Sequence, residues 1–228
     1  MKLLDRNIFN NIKHRIPQDN YKNLSFINNK SIENVDAKYF IVKPKGKKCI
    51  LWFTYYEENL LCILIMLNDN NINNENNLYY KYDIHFDKEL TLNNTLISGI
   101  YIKNNTYNYV IIDNIYNYNL FNTIIFKNNF NNNIKNKLLV YNTIINYINN
   151  NNSYKVFIPL IYNDINKLYK KINVLNYKLY AISIYSDIKY LGNFIINNKI
   201  SFNSNHITNF KIKSNVKEDI YEMYILNE

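Results

Sequence analysis

The chain has 228 residues and carries 27 lysines and arginines against 18 acids, a formal charge of +9. That length suits one continuous domain with a real core, and that charge favours anionic partners, nucleic acid or nucleotide phosphate foremost. An AT-rich genome that fills surface codons with Lys and Asn would give the same balance with no partner at all.

Two cysteines, Cys49 and Cys62, make no disulfide framework and read as small hydrophobes of a reducing compartment. Residues 1–16 hold no long apolar segment of the signal-peptide kind, and the longest apolar run, 60–67, is too short to span a bilayer. The expectation is a cytoplasmic protein with no membrane partner.

Along the chain, the first element is a short helical pattern at 7–15 within an N-terminal helical arm, 1–35. Runs rich in Ile, Tyr, Phe and Val then predict strands at 39–42, 48–55, 60–67, 79–85, 95–103 and 107–116. Asn59 and the pair Asn104-Asn105 are the expected hairpin turns, because Asn tolerates the left-handed conformation. The polar, low-complexity stretch 68–77 reads as a flexible loop.

A helix is predicted over 134–149, with Leu138, Leu139, Ile144, Ile145 and Ile148 as its apolar side. A strand at 155–160 follows, and then a helix over 164–172 on Ile165, Leu168, Tyr169 and Ile172, with Asp164 as its cap. Strands at 177–185, 190–196 and 210–216 complete the pattern. The fold class is α+β, mainly antiparallel sheets with flanking helices, in a single domain over 1–228.

The residues that could carry chemistry are basic and aromatic. Lys43, Lys45, Lys47 and Lys48 surround a Pro44-Lys45-Gly46 turn, where glycine lets a phosphate approach the backbone and lysine supplies point charges. Alternation places Cys49, Leu51 and Phe53 on one face of the next strand and Ile50, Trp52 and Thr54 on the other. Trp52, the only tryptophan, is a candidate stacking surface for a base, although a core role is the commoner fate of a tryptophan.

Lys211 and Lys213 alternate on one side of a late strand, where they could meet a polyanion or guard a sheet edge. Gly99, inside a strand pattern, and Asp113 mark a place for a bulge or a ligand's approach. Gly192 reads as a bulge. His14, His85 and His206 are isolated, and no metal site is expected.

The order of these segments resembles the nucleotidyltransferase superfamily, that of mRNA-capping guanylyltransferases and ATP-dependent ligases. Lys43-Pro44-Lys45-Gly46-Lys47-Lys48-Cys49-Ile50-Leu51 resembles its Lys-x-Asp-Gly-x-Arg signature with the following strand, and the run Ser98-Gly99-Ile100 is similar to the strand that carries Asp-Gly-Glu. The apolar run ending in Asp113 looks like the next family strand, and Lys211-Ile212-Lys213 like the closing Lys-x-Lys motif. In the family the motif lysine becomes nucleotidylated, so the resemblance puts Lys43 in the nucleophile's place, with GTP or ATP and a divalent metal as cofactors of an active enzyme.

The departures point elsewhere. Lys45, Ser98 and Ile100 stand where the family has acids, and no Glu-Gly occurs over 181–187. A site that keeps lysines and loses carboxylates binds phosphate and activates it poorly. That pattern resembles snurportin-type cap-binding domains, in which a cationic methylated guanine gains from aromatic stacking.

The composition and the run Val216-Lys217-Glu218-Asp219-Ile220-Tyr221 also look like proteins of AT-rich large DNA viruses, which would place the chain in host cytoplasm or a virion. The leading expectation is a catalytically degenerate nucleotidyltransferase-like domain that binds RNA 5′ ends or mRNA caps. Behind it stand a structural or virion interaction protein with a vestigial pocket, and an active guanylyltransferase or RNA ligase using Lys43.

Overall fold

A computed structural model describes residues 1–16, 37–68, 76–92, 94–103, 108–117, 134–187, 190–195, 210–214 and 221–225. Its strands are β1 (Lys2–Leu3), β2 (Tyr39–Pro44), β3 (Lys47–Tyr56), β4 (Asn59–Met66), β5 (Leu78–Lys81), β6 (His85–Phe86), β7 (Leu96–Lys103), β8 (Asn108–Asn117), β9 (Ile148–Asn149) and β10 (Tyr154–Phe157). After these come β11 (Ile161–Tyr162), β12 (Leu179–Tyr185), β13 (Tyr190–Ile195), β14 (Phe210–Ser214) and β15 (Tyr221–Ile225). The helices are α1 (Arg6–Ile12), α2 (Glu89–Leu92), α3 (Ile134–Asn146) and α4 (Ile165–Ile172), with a 3-10 turn at Lys13–Arg15.

The chain divides into two compact units. The first holds β1, β3 to β10, α1, α2 and most of α3; the second holds β2, β11 to β15 and α4.

In the first unit a seven-stranded sheet runs in the order β1-β5-β4-β3-β7-β8-β10. Every pair is antiparallel except β8 with β10. A parallel pair needs a long crossover, and α3 lies in the connection between those two strands. Alternation along β3 works as the sequence implies. Cys49, Leu51 and Phe53 join one core with Val140, Tyr141 and Ile144 of α3, and Ile50 and Trp52 join a second core with Ile12 and Ile16 at and beyond the end of α1. Because helices cover both faces, residues 49–54 are buried without a break.

The sheet also curls. Tyr82 follows β5 near one edge, yet its hydroxyl donates to the Lys155 carbonyl oxygen at 2.9 Å on β10, the opposite edge strand.

Several local expectations are corrected. The β3–β4 hairpin turns at Glu57-Glu58, with Glu57 at φ 53°, and Asn59 already begins β4 opposite Tyr56. Residues 79–85 divide into β5 and the separate β6. α3 ends at Asn146, so Ile148 falls in β9 rather than in the helix. Of the expected apolar side, Ile144 and Ile148 are buried, Leu138 and Ile145 are partly buried, and Leu139 points outward at 57% exposure while Val140 and Tyr141 are buried. Cys49 lies opposite Met66 and Cys62 opposite Phe53, both buried free thiols, as small hydrophobes of the core should be. Burial pushes both thiol pKa values up. The Asn104-Asn105 turn and most of the 68–77 loop lie outside the described residues.

In the second unit a four-stranded antiparallel sheet runs β11-β2-β12-β13. α4 lies on one of its faces, where Leu168 packs with Val42, Leu179 and Ile182. Asp164 caps α4, its carboxylate accepting from the backbone N–H groups of Asn166 and Lys167 at 2.8 and 3.4 Å. Gly192 stands at φ 154° beside an irregularity between Ile184 and Tyr185, which fits the bulge read from sequence. β14 and β15 pair only with each other among the described strands.

Candidate polyanion-binding rim

The lysine-rich turn connects two sheets, and its residues divide between the two units. Lys43 is half-buried on β2, in register with Ala181 of β12, and so belongs to the second unit. Lys45, Gly46, Lys47 and Lys48 are exposed and belong to the first.

Gly46 has a packing reason to be glycine. A Cβ there would stand 2.6 Å from both the Ile100 Cγ2 and the Tyr101 carbonyl oxygen of β7. The turn therefore lies directly on β7, and the absent side chain allows it to.

β3 begins where β7 ends, since the two are antiparallel and Lys47 pairs with Tyr101. Two residues past Tyr101, Lys103 pairs with Asn108 at the start of β8, and Asn108 in turn pairs with Tyr154 at the start of β10. Lys155 comes next. One end of the sheet thus gathers Lys45, Lys47, Lys48, Lys103 and Lys155 over three strand spacings, roughly 14 Å. Among the described residues, no side-chain hydrogen bond or ion pair engages Lys45, Lys47 or Lys103.

Just inside the rim, the Tyr101 hydroxyl donates to Asn108 Oδ1 at 2.7 Å. Burial raises its pKa to about 12, so the phenol stays neutral and adds no negative charge there. By alternation Lys47 and Lys103 share one face of this sheet end and Lys48 and Lys155 the other, and ammonium groups so placed attract phosphates as point charges. Sequence reading found Lys45 to Lys48 and missed Lys103 and Lys155, which only strand pairing brings beside them.

The other predicted site residues stand apart from the rim. Trp52 is fully buried against α1, and its indole N–H donates to Asn94 Oδ1 at 3.0 Å. Asn94, held at φ 44°, donates in turn to the Arg15 carbonyl oxygen at 2.9 Å. The stacking role is corrected accordingly: both ring faces are packed, and the polar edge is already bonded.

Gly99 is buried too, and a Cβ on it would stand 2.6 Å from Val110 Cγ1 and 2.7 Å from the Ile111 carbonyl oxygen. It admits β8, so the expected ligand approach gives way to strand packing. Asp113 is the extra residue of the bulge between the Gly99–Ile112 and Ser98–Asn114 pairs, and its carbonyl oxygen accepts from the Tyr141 hydroxyl at 2.7 Å.

Ser98, at an acid position of the family pattern, is buried and donates to the Asn114 carbonyl oxygen at 3.4 Å. Lys211 and Lys213 lie on β14 opposite Tyr224 and Glu222, in a two-stranded sheet that does not include β2. Among the described residues, no group of three or more His, Cys, Asp or Glu side chains could hold a metal ion. Nor is any described helix long and apolar enough to cross a membrane.

The sequence matches no protein-family model and no curated protein.

Proposed function

We propose that the first unit binds the phosphate backbone of RNA through the lysine rim, without stacking a base on Trp52 and without nucleotidyl transfer. The observation that carries this reading is the convergence of exposed Lys45, Lys47, Lys48 and Lys103 at neighbouring strand ends, from positions more than fifty residues apart in the chain. Phosphate binding needs such cations and no carboxylates. The loss of acids at Lys45, Ser98 and Ile100 agrees with binding rather than phosphate activation. Selective recognition of a methylated cap would need an aromatic platform other than Trp52.

The test is binding of capped and uncapped oligonucleotides across a salt series, with the wild-type chain and a Lys45→Gln/Lys47→Gln/Lys103→Gln variant. Equal affinity for both oligonucleotides is expected, with a salt slope that falls by about 2 in the variant, roughly 0.7 for each lysine–phosphate pair removed. Salt-independent affinity would remove the reading. A strong preference for the capped oligonucleotide would restore cap recognition. A covalent adduct with labelled GTP and a divalent metal, abolished in Lys43→Ala, would establish the enzyme instead.

A further inference from the structure

α4 offers a second basic surface that is independent of the rim. Lys167, Lys170 and Lys171 are all exposed and stand at i, i+3 and i+4, so they share one side of the helix. Leu168, fully buried, with Ile165 and Ile172 partly buried beside it, occupies the opposite side. Val174, just past the helix with its backbone N–H donating to the Lys171 carbonyl oxygen, is 72% exposed.

Local helix energetics account for only part of this pattern. Lys170 and Lys171 in the last turn complement the negative end of the helix dipole. Lys167 lies near the positive end and four residues from Lys171, an arrangement that costs a few tenths of a kcal/mol. No acid of the helix itself offsets it, because the single carboxylate over 161–180 is Asp164, which is engaged in capping.

We infer that this outward face of α4 is a second polyanion-binding surface, so that one chain engages a long RNA at two places. The inference rests on the reading of RNA as the ligand but uses different residues in the other unit. Two other partner classes fit less well. Protein interfaces favour aromatic and Arg anchors and are depleted in lysine, and this face offers no aromatic. A membrane-lying helix needs a free apolar face, and that of α4 is buried on its own sheet.

The experiment compares the intact wild-type chain with a Lys167→Gln/Lys170→Gln/Lys171→Gln variant and with the rim variant, on a long unstructured RNA over a salt series. Glutamine keeps helix propensity close to that of lysine, and circular dichroism verifies folding. The helix variant should lose roughly tenfold or more in affinity and about 2 in salt slope, and combining both sets should abolish binding at moderate salt. Wild-type affinity and slope in the helix variant would overturn the inference and leave the rim standing. The same result confined to the rim variant would remove the rim and leave the helix. Tighter binding to polyglutamate than to RNA of equal charge, abolished in the helix variant, would also overturn it in favour of an acidic protein.

Discussion

Strand β3 and helix α4 each combine a buried part with a lysine-rich part, and they separate the two in different directions. In β3 the division runs along the element: Lys47 and Lys48 are exposed at its start, and six consecutive residues are then buried. In α4 it runs around the element, with Leu168 inward and Lys167, Lys170 and Lys171 outward. The cause is the number of covered faces. A strand with helices on both sides has only its ends free for ligands, whereas a helix resting on one sheet keeps half its circumference free. The same residue types therefore carry different information in the two places.

The sharpest way to break this comparison is to cut into the middle of β3. Trp52→Ala should lower stability by about 3–5 kcal/mol in denaturant unfolding, while the folded fraction keeps its affinity for RNA. Loss of binding at unchanged stability would return Trp52 to a recognition role. On the inner side of α4, Leu168→Ala should cost about 2–5 kcal/mol by the same measurement. A cost under half of that would mean the helix is not held by its apolar face.

Smaller changes test the places where the two parts meet. Gly46→Ala forces a Cβ against the β7 backbone and should destabilise by about 1–3 kcal/mol, with weaker RNA binding as the turn shifts. Asp164→Ala removes the α4 cap and should cost about 1 kcal/mol. At the bottom of the scale, Lys47→Gln and Lys170→Gln should change stability by less than about 0.5 kcal/mol, and their effect should appear only in the salt dependence of binding. If either lysine proved important for folding, the division between a stabilising and a binding part would fail at that position.

The sequence located most of the fold because its signals are local. Alternation placed Cys49, Leu51 and Phe53 opposite Ile50 and Trp52, and the helical period placed Leu168 inside, since both patterns follow from backbone geometry alone. Asp164 was legible for the same reason, because a cap acts within three residues of itself. The hairpin turn was misplaced by two residues because a glutamate took the left-handed position that an asparagine was expected to fill. On α3 only Leu139 was misplaced: Tyr141, with its hydroxyl on the Asp113 carbonyl, is buried and Leu139 is exposed.

The candidate site was legible only as charge. Six residues, Lys43 to Lys48, read as one basic element, but strand pairing assigns Lys43 to the sheet of the second unit and Lys47 and Lys48 to that of the first. It also brings Lys103 and Lys155 to the same sheet end from far along the chain. What the sequence determined by itself was the excess of cations and the strand and helix periods. Only the tertiary structure decided which lysines stand together, that Gly46 and Gly99 serve close packing against neighbouring strands, and that Trp52 belongs to the core. Those outcomes depend on which strands lie side by side, and that is settled by long-range pairing and burial rather than by neighbours in sequence.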